Sequence, residues 1–124
     1  MKPEDLVAKR ISNYLLTKHD KVPFRFDLVD RLGNSYVGKQ IKQLHGKWSR
    51  GYVDLFIATG RGGFGGLMLE LKKDGVLANT EHTRRQADYH AVLRFNSYKV
   101  SFCCGFDDCK KKIKNYLKLK KNKI

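Results

Sequence analysis

The stretch GGLMLELKKDG, residues 65 to 75, reads as a strand, and one of its faces is unusual. Successive strand side chains point to opposite sides, so Leu67, Leu69 and Leu71 share one face and Met68, Glu70 and Lys72 the other. The leucine face is a core face. The second face puts a carboxylate and an ammonium two residues apart beside a methionine. A wet strand face commonly carries Glu and Lys, so Glu-x-Lys alone is a weak signal, and its meaning depends on what lies around it.

Immediately upstream, GYVDLFIA (51 to 58) is a second strand, and the glycine-rich TGRGGFGG between the two reads as a hairpin connection. It is not a phosphate-binding P-loop, because no Gly-Lys-Ser/Thr follows and the next element is a strand. Asp54 shares a face with Tyr52, Phe56 and Ala58. If the hairpin pairs the strands, Asp54 lies beside Glu70, with Lys72 ~6.6 Å further along. Neighbouring carboxylates repel unless a cation separates them. Mg²⁺ resolves this, since it takes hard oxygen ligands and keeps several waters. A lysine beside such an ion can position a water and offset charge building on a phosphate. An ordinary exposed cross-strand Asp would look the same at this level.

Working outward, residues 3 to about 18 have an apolar stripe of Val7, Ile11, Tyr14 and Leu15 at helical spacing. Pro3, Glu4 and Asp5 suit the first turn of that helix. VPFRFDLV (22 to 29) alternates as a strand, with Phe24 and Phe26 on one face. Residues 30 to 50, DRLGNSYVGKQIKQLHGKWSR, read as a long connection and the one candidate insertion. A helix is predicted from a cap at Asn79 or Thr80 to about Arg94. A strand over 98 to 104 follows, then a helix after Gly105. That last helix has Asp107 and Asp108 in its first turn and buries Cys109, Ile113, Tyr116 and Leu117. On the 80 to 94 helix, Gln86 falls on the stripe with Tyr89 or His90 and Leu93. A glutamine there needs hydrogen-bond partners, for which a phosphate, a water or Lys72 would serve; a rim position is the plain alternative. The order α-β-β-β-α-β-α predicts one domain over 1–124, an α/β sandwich around a mixed sheet.

The charge narrows the function class. Lys and Arg number 26 against 12 Asp and Glu, a net charge of +14 over 124 residues. Eight lysines fall in the acid-free KKKIKNYLKLKKNKI, which leaves 18 bases against all 12 acids, or +6, on the rest. The body is basic in its own right, and the lysine-rich helix and tail (about 106–124) add to it. Such a surplus favours a polyanionic partner, because each neutralised phosphate releases counterions. No apolar run approaches the ~20 residues of a membrane span, and the N-terminus does not read as a signal peptide. Cys103, Cys104 and Cys109 are odd in number and lack zinc-ligand spacing. They are expected to be small apolar residues of a reduced cytoplasm.

Together, GYVDLFIA, GGLMLELKK and TEHTRRQADYHAVLRFNSYKVSFCCGFDDCKKKIKNYL resemble the VRR-NUC branch of the PD-(D/E)XK nucleases, in their stand-alone bacteriophage form. The likeness spans nearly the whole chain apart from residues 30 to 50. Its specificity comes from the ordered set Asp, Glu-x-Lys, Gln and a closing Gly-Phe-Asp. It implies a restriction-endonuclease-like core and a Mg²⁺-dependent DNA endonuclease (with Mn²⁺ able to substitute), selective for DNA structure. Four-way junctions, a homodimer and a cytoplasmic setting, the host's if phage-encoded, are implied with it. Asp54, Glu70 and the backbone carbonyl of Leu71 would hold the metal. Lys72 would hold the attacking water, Gln86 would orient Lys72 or the phosphate, and Glu4, or its neighbour Asp5, would complete the site. Val53 stands where the family usually has proline, which bears on the kink ahead of Asp54.

Phosphate contacts are expected from Arg61, Arg84, Arg85 and His82. Lys39, Lys42, Lys47 and Arg50, interleaved with Trp48, suit backbone contact plus stacking. His45 and His90 are expected in surface or packing roles. Two rival functions fit the same letters: a basic DNA-binding protein without catalysis, and a sequence-specific restriction-type enzyme.

Overall fold

The computed structural model describes residues 3–27, 32–49, 53–72 and 81–123, without the side chains of residues 3, 4, 49, 81 and 82. The helix α1 (Pro3–Lys18) leads to β1 (Phe24–Phe26), then α2 (Tyr36–His45) and one 3₁₀ turn (Gly46–Ser49). The hairpin of β2 (Leu55–Ile57) and β3 (Leu67–Lys72) follows, then α3 (Glu81–Phe95), β4 (Lys99–Cys104) and α4 (Gly105–Leu117). The four strands form one sheet in the order β1-β2-β3-β4. The first two pairings are antiparallel, and β3 runs parallel to β4. A parallel pair cannot be closed by a tight turn, so α3 crosses one face of the sheet to bring the chain back.

The alternation of β3 sorts the molecule into layers. Leu67, Leu69 and Leu71 pack with Leu55, Ile57, Ile11, Leu15, Cys103, Cys109, Ile113 and Tyr116, a buried cluster that joins α1 and α4 to one face. On the other face Met68 packs with Val53, Val100 and Leu93 of α3 in a smaller cluster. Glu70 lies on that thinner side.

Two expectations are corrected. Residues 30 to 50 are not a plain connection, because Tyr36–His45 is helical. Ser35 caps it by accepting from the Gly38 N–H at 3.1 Å, and Gly46 ends it at φ +60°, a left-handed conformation that glycine adopts without strain. The element order therefore gains a helix between the first two strands. The cysteines are not all free either: Cys103 and Cys109 form a disulfide with Cα atoms 5.1 Å apart, and Cys104 keeps its thiol. Gly105, at φ +80°, turns the chain sharply from β4 into α4, so two core-facing cysteines six apart in sequence meet. Cys104 N–H then donates to Asp108 Oδ2 at 2.8 Å, which anchors the first turn of α4. In unreduced denatured protein one thiol should titrate, and three after reduction. Reduction should lower unfolding stability by about 2 kcal/mol for so short a loop, measurable by urea melts with and without reductant.

Candidate active site

The site is built from the hairpin upward. Phe56 pairs with Met68 and Leu55 with Leu69, so the next position along sets Asp54 by Glu70. The chain bends at Asp54 just ahead of β2, with Val53 and no proline before it. Val53 is buried with Met68 on the α3 side, out of step with Leu55, as a bend requires. Three hydrogen bonds hold the bend: Asp54 N–H donates to Leu69 C=O at 3.1 Å, Asp27 N–H to Asp54 C=O at 2.8 Å, and Leu71 N–H to Asp54 Oδ2 at 2.8 Å. The Asp54 carboxylate is thereby fixed against the β3 backbone beside the Leu71 peptide.

Glu70 is 3 % exposed in the sheet interior. Lys72 Nζ donates to Gln86 Oε1 at 2.6 Å and lies 5.5 Å from the Phe102 ring centroid. Gln86 is itself buried, so the glutamine on the apolar stripe of α3 has the lysine as its partner. Asp54, Glu70, Lys72 and Gln86 thus gather on one side of the sheet, together with the Leu71 backbone. The Glu4 side chain lies outside the described residues. Asp5 is partly buried on α1, the helix that packs against the opposite face.

His90 was not singled out for the site by its sequence context, yet it belongs to this layer. It is fully buried, its Nε2 stands 3.7 Å from Glu70 Oε1, and its ring lies 4.6 Å from that of Phe102. Burial above all, then the positive charges of Arg94 and Lys72, lower its pKa to about 4 against the opposing pull of Asp54, so the ring is neutral near pH 7. The available signal was its position four residues after Gln86, one turn along the same helix face.

The cationic residues spread more widely. Arg84 and Arg85 are exposed on α3, and Lys39 is exposed on α2. Lys42 donates to Gly33 C=O at 3.0 Å, and Lys47 Nζ stands 4.8 Å from the Trp48 ring centroid. Trp48 meets Tyr89 of α3 edge-on at 4.8 Å and is 41 % exposed, lining an apolar cleft with Phe56 and Leu93 on the same side of the sheet as Glu70. Arg61 is placed apart, in the hairpin turn beside Lys121 at the opposite end of β2 and β3. Arg50 and the His82 side chain lie outside the described residues.

The chain is an α/β fold in which a four-stranded mixed sheet carries helices on both faces, with Asp54 ahead of its second strand and Glu70 and Lys72 on its third. Among solved structures the chain is similar to one described as a "VRR_NUC domain protein". The TM-score is 0.69 and the identity 24 %, covering 98 % of this chain and 93 % of that one. At that identity the likeness establishes the fold. No protein-family profile matches the chain, and no curated protein does. Among the described residues no helix is long and apolar enough to cross a membrane.

Proposed function

We propose that this chain is a single-domain, metal-dependent DNA endonuclease of the VRR-NUC type, hydrolysing phosphodiesters in branched DNA such as four-way junctions. The observation that carries the reading is the partly buried Lys72–Gln86 hydrogen bond at 2.6 Å, on the same face of β3 as the buried Glu70 and beside an Asp54 tied to the β3 backbone. A solvated charged face would leave Glu70 in water and Lys72 without a fixed partner.

Among the described residues no three His, Cys, Asp or Glu side chains gather as a metal site. Two carboxylates with a backbone carbonyl are instead the sparse oxygen set that suits Mg²⁺, which binds through one or two carboxylates and retains water. Asp54, Glu70 and the Leu71 carbonyl would hold Mg²⁺, or Mn²⁺ in its place. When bound, the ion supplies Lewis-acid polarisation of the phosphate. Lys72 holds the attacking water through its ammonium and offsets the charge that grows on the phosphate oxygens. Gln86 keeps that ammonium aimed by accepting a hydrogen bond from it, and Glu4 or Asp5 would complete the acidic rim. Lys39, Lys47, Arg84 and Arg85 attract phosphates without reading bases. A second copy of the chain would extend this small footprint and face the opposite strand.

The test incubates purified protein with a labelled four-way junction and matched linear duplex, in Mg²⁺, Mn²⁺ or EDTA, with Asp54→Asn as control. Metal-dependent products from the junction, lost in Asp54→Asn, support the reading. Discrete fragments from duplex point to a restriction-type enzyme, and salt-sensitive binding with no product in any metal to a non-catalytic DNA-binding protein.

A further inference from the structure

The two charged residues of β3 each face a polar residue of α3. Lys72 meets Gln86 at 2.6 Å, and Glu70 meets His90 at 3.7 Å. The spacing explains why one helix can serve both. Two residues along a strand rise ~6.6 Å, and four along a helix rise ~6.0 Å. A helix running counter to the strand therefore sets Gln86 and His90 as matching rungs against Lys72 and Glu70. The first rung is a hydrogen bond. The second is nearly one.

The proposed reaction leaves the chemistry of His90 unused, and its surroundings are unusual. The side chain is 0 % exposed, and neither ring nitrogen has a hydrogen-bond partner among the described residues. Buried polar atoms almost always have partners, and leaving them dry carries the full desolvation penalty. Packing against Phe102 does not call for an imidazole, since a phenyl ring would fill the same place with nothing left unsatisfied. A Glu70 carboxylate oxygen stands 3.7 Å from His90 Nε2. Closing 3.7 Å to an ordinary hydrogen bond takes a shift of about 0.8 Å, within reach of a small carboxylate rotation.

We infer that His90 is a positioning residue: it donates Nε2–H to the Glu70 carboxylate, fixing one oxygen and leaving the other for a divalent ion. This rests on the metal site proposed above. It assigns α3 a double task, with Gln86 aiming the ammonium and His90 aiming the carboxylate. Hydrogen bonds to a ligating carboxylate from an outer partner commonly tune metal affinity in this way.

The test is Mn²⁺ binding by calorimetry without DNA, on wild type, His90→Phe, His90→Gln and Glu70→Gln. His90→Phe should weaken Mn²⁺ binding by about 10–100-fold. His90→Gln, whose amide N–H occupies much the same place as Nε2–H, should stay close to wild type. A thermal melt of each variant separates loss of positioning from loss of structure: His90→Phe should still unfold cooperatively. Wild-type affinity in His90→Phe, with binding lost in Glu70→Gln, overturns the inference and leaves the metal site standing. Absence of Mn²⁺ binding by wild type overturns both. Should His90→Phe fail to fold, long-range ¹H–¹⁵N spectra of wild type decide: a Nε2–H tautomer whose signal moves in Glu70→Gln supports the inference, and a Nδ1–H tautomer refutes it.

Discussion

Replacing Lys72 with methionine is expected to slow junction cleavage by about 10²–10³-fold, the usual cost of removing one preorganised charge-stabilising donor. Methionine keeps most of the apolar stem of the lysine and removes the ammonium, which donates to Gln86 at 2.6 Å and stands 5.5 Å from the Phe102 ring centroid. Stability should fall only by the cost of leaving the Gln86 carbonyl unpaired, about 1–3 kcal/mol. Single-turnover cleavage in saturating Mn²⁺, alongside a thermal melt, separates the two effects. Unimpaired turnover in Lys72→Met would remove the lysine from the chemistry and leave the Lys72–Gln86 contact as a packing feature. Gln86→Met should do less harm, since it loosens the ammonium without deleting it.

The second large effect concerns the sheet itself. Leu69 is fully buried at the middle of β3, paired to Leu55 on one side and Ser101 on the other. Its side chain faces the larger cluster, among Ile11, Leu15 and Ile113. Leu69→Ala should cost about 2–5 kcal/mol, because the strand is held on both sides and cannot collapse into the void. Urea unfolding at fixed redox state measures it directly. A loss well below 1 kcal/mol would mean that β3 is not the centre of the core (1 kcal/mol being the ordinary effect of a random substitution).

The letters from 51 to 75 held more of this architecture than any other stretch. Strict alternation put Leu67, Leu69 and Leu71 on one side and Glu70 with Lys72 on the other, and the structure has that division. The glycine-rich hairpin was legible for the same local reason. What was not legible depends on distant geometry. In α2, Val37, Ile41 and Leu44 have helical spacing, but Val37 and Leu44 are exposed, so the stripe never behaves as a core face and the basic residues around it obscure the helix. The Cys103–Cys109 bond exists because Gly105 turns the chain back through a left-handed conformation, which no cysteine count reveals. His90 joins the site layer because α3 crosses over β3, and the helix pattern around it resembles that of any packing histidine.

The pleat of β3 also constrains how this chain can diverge. Dropping one residue between Leu67 and Lys72 would rotate every later side chain by half a turn, sending the carboxylate and the ammonium in among Ile11 and Ile113 and the leucines out towards α3. Exchange of one residue for another is the only drift that strand can absorb. Indels belong instead in the span between β1 and β2, where a whole helix already stands without disturbing the pairing of Phe24 with Ile57.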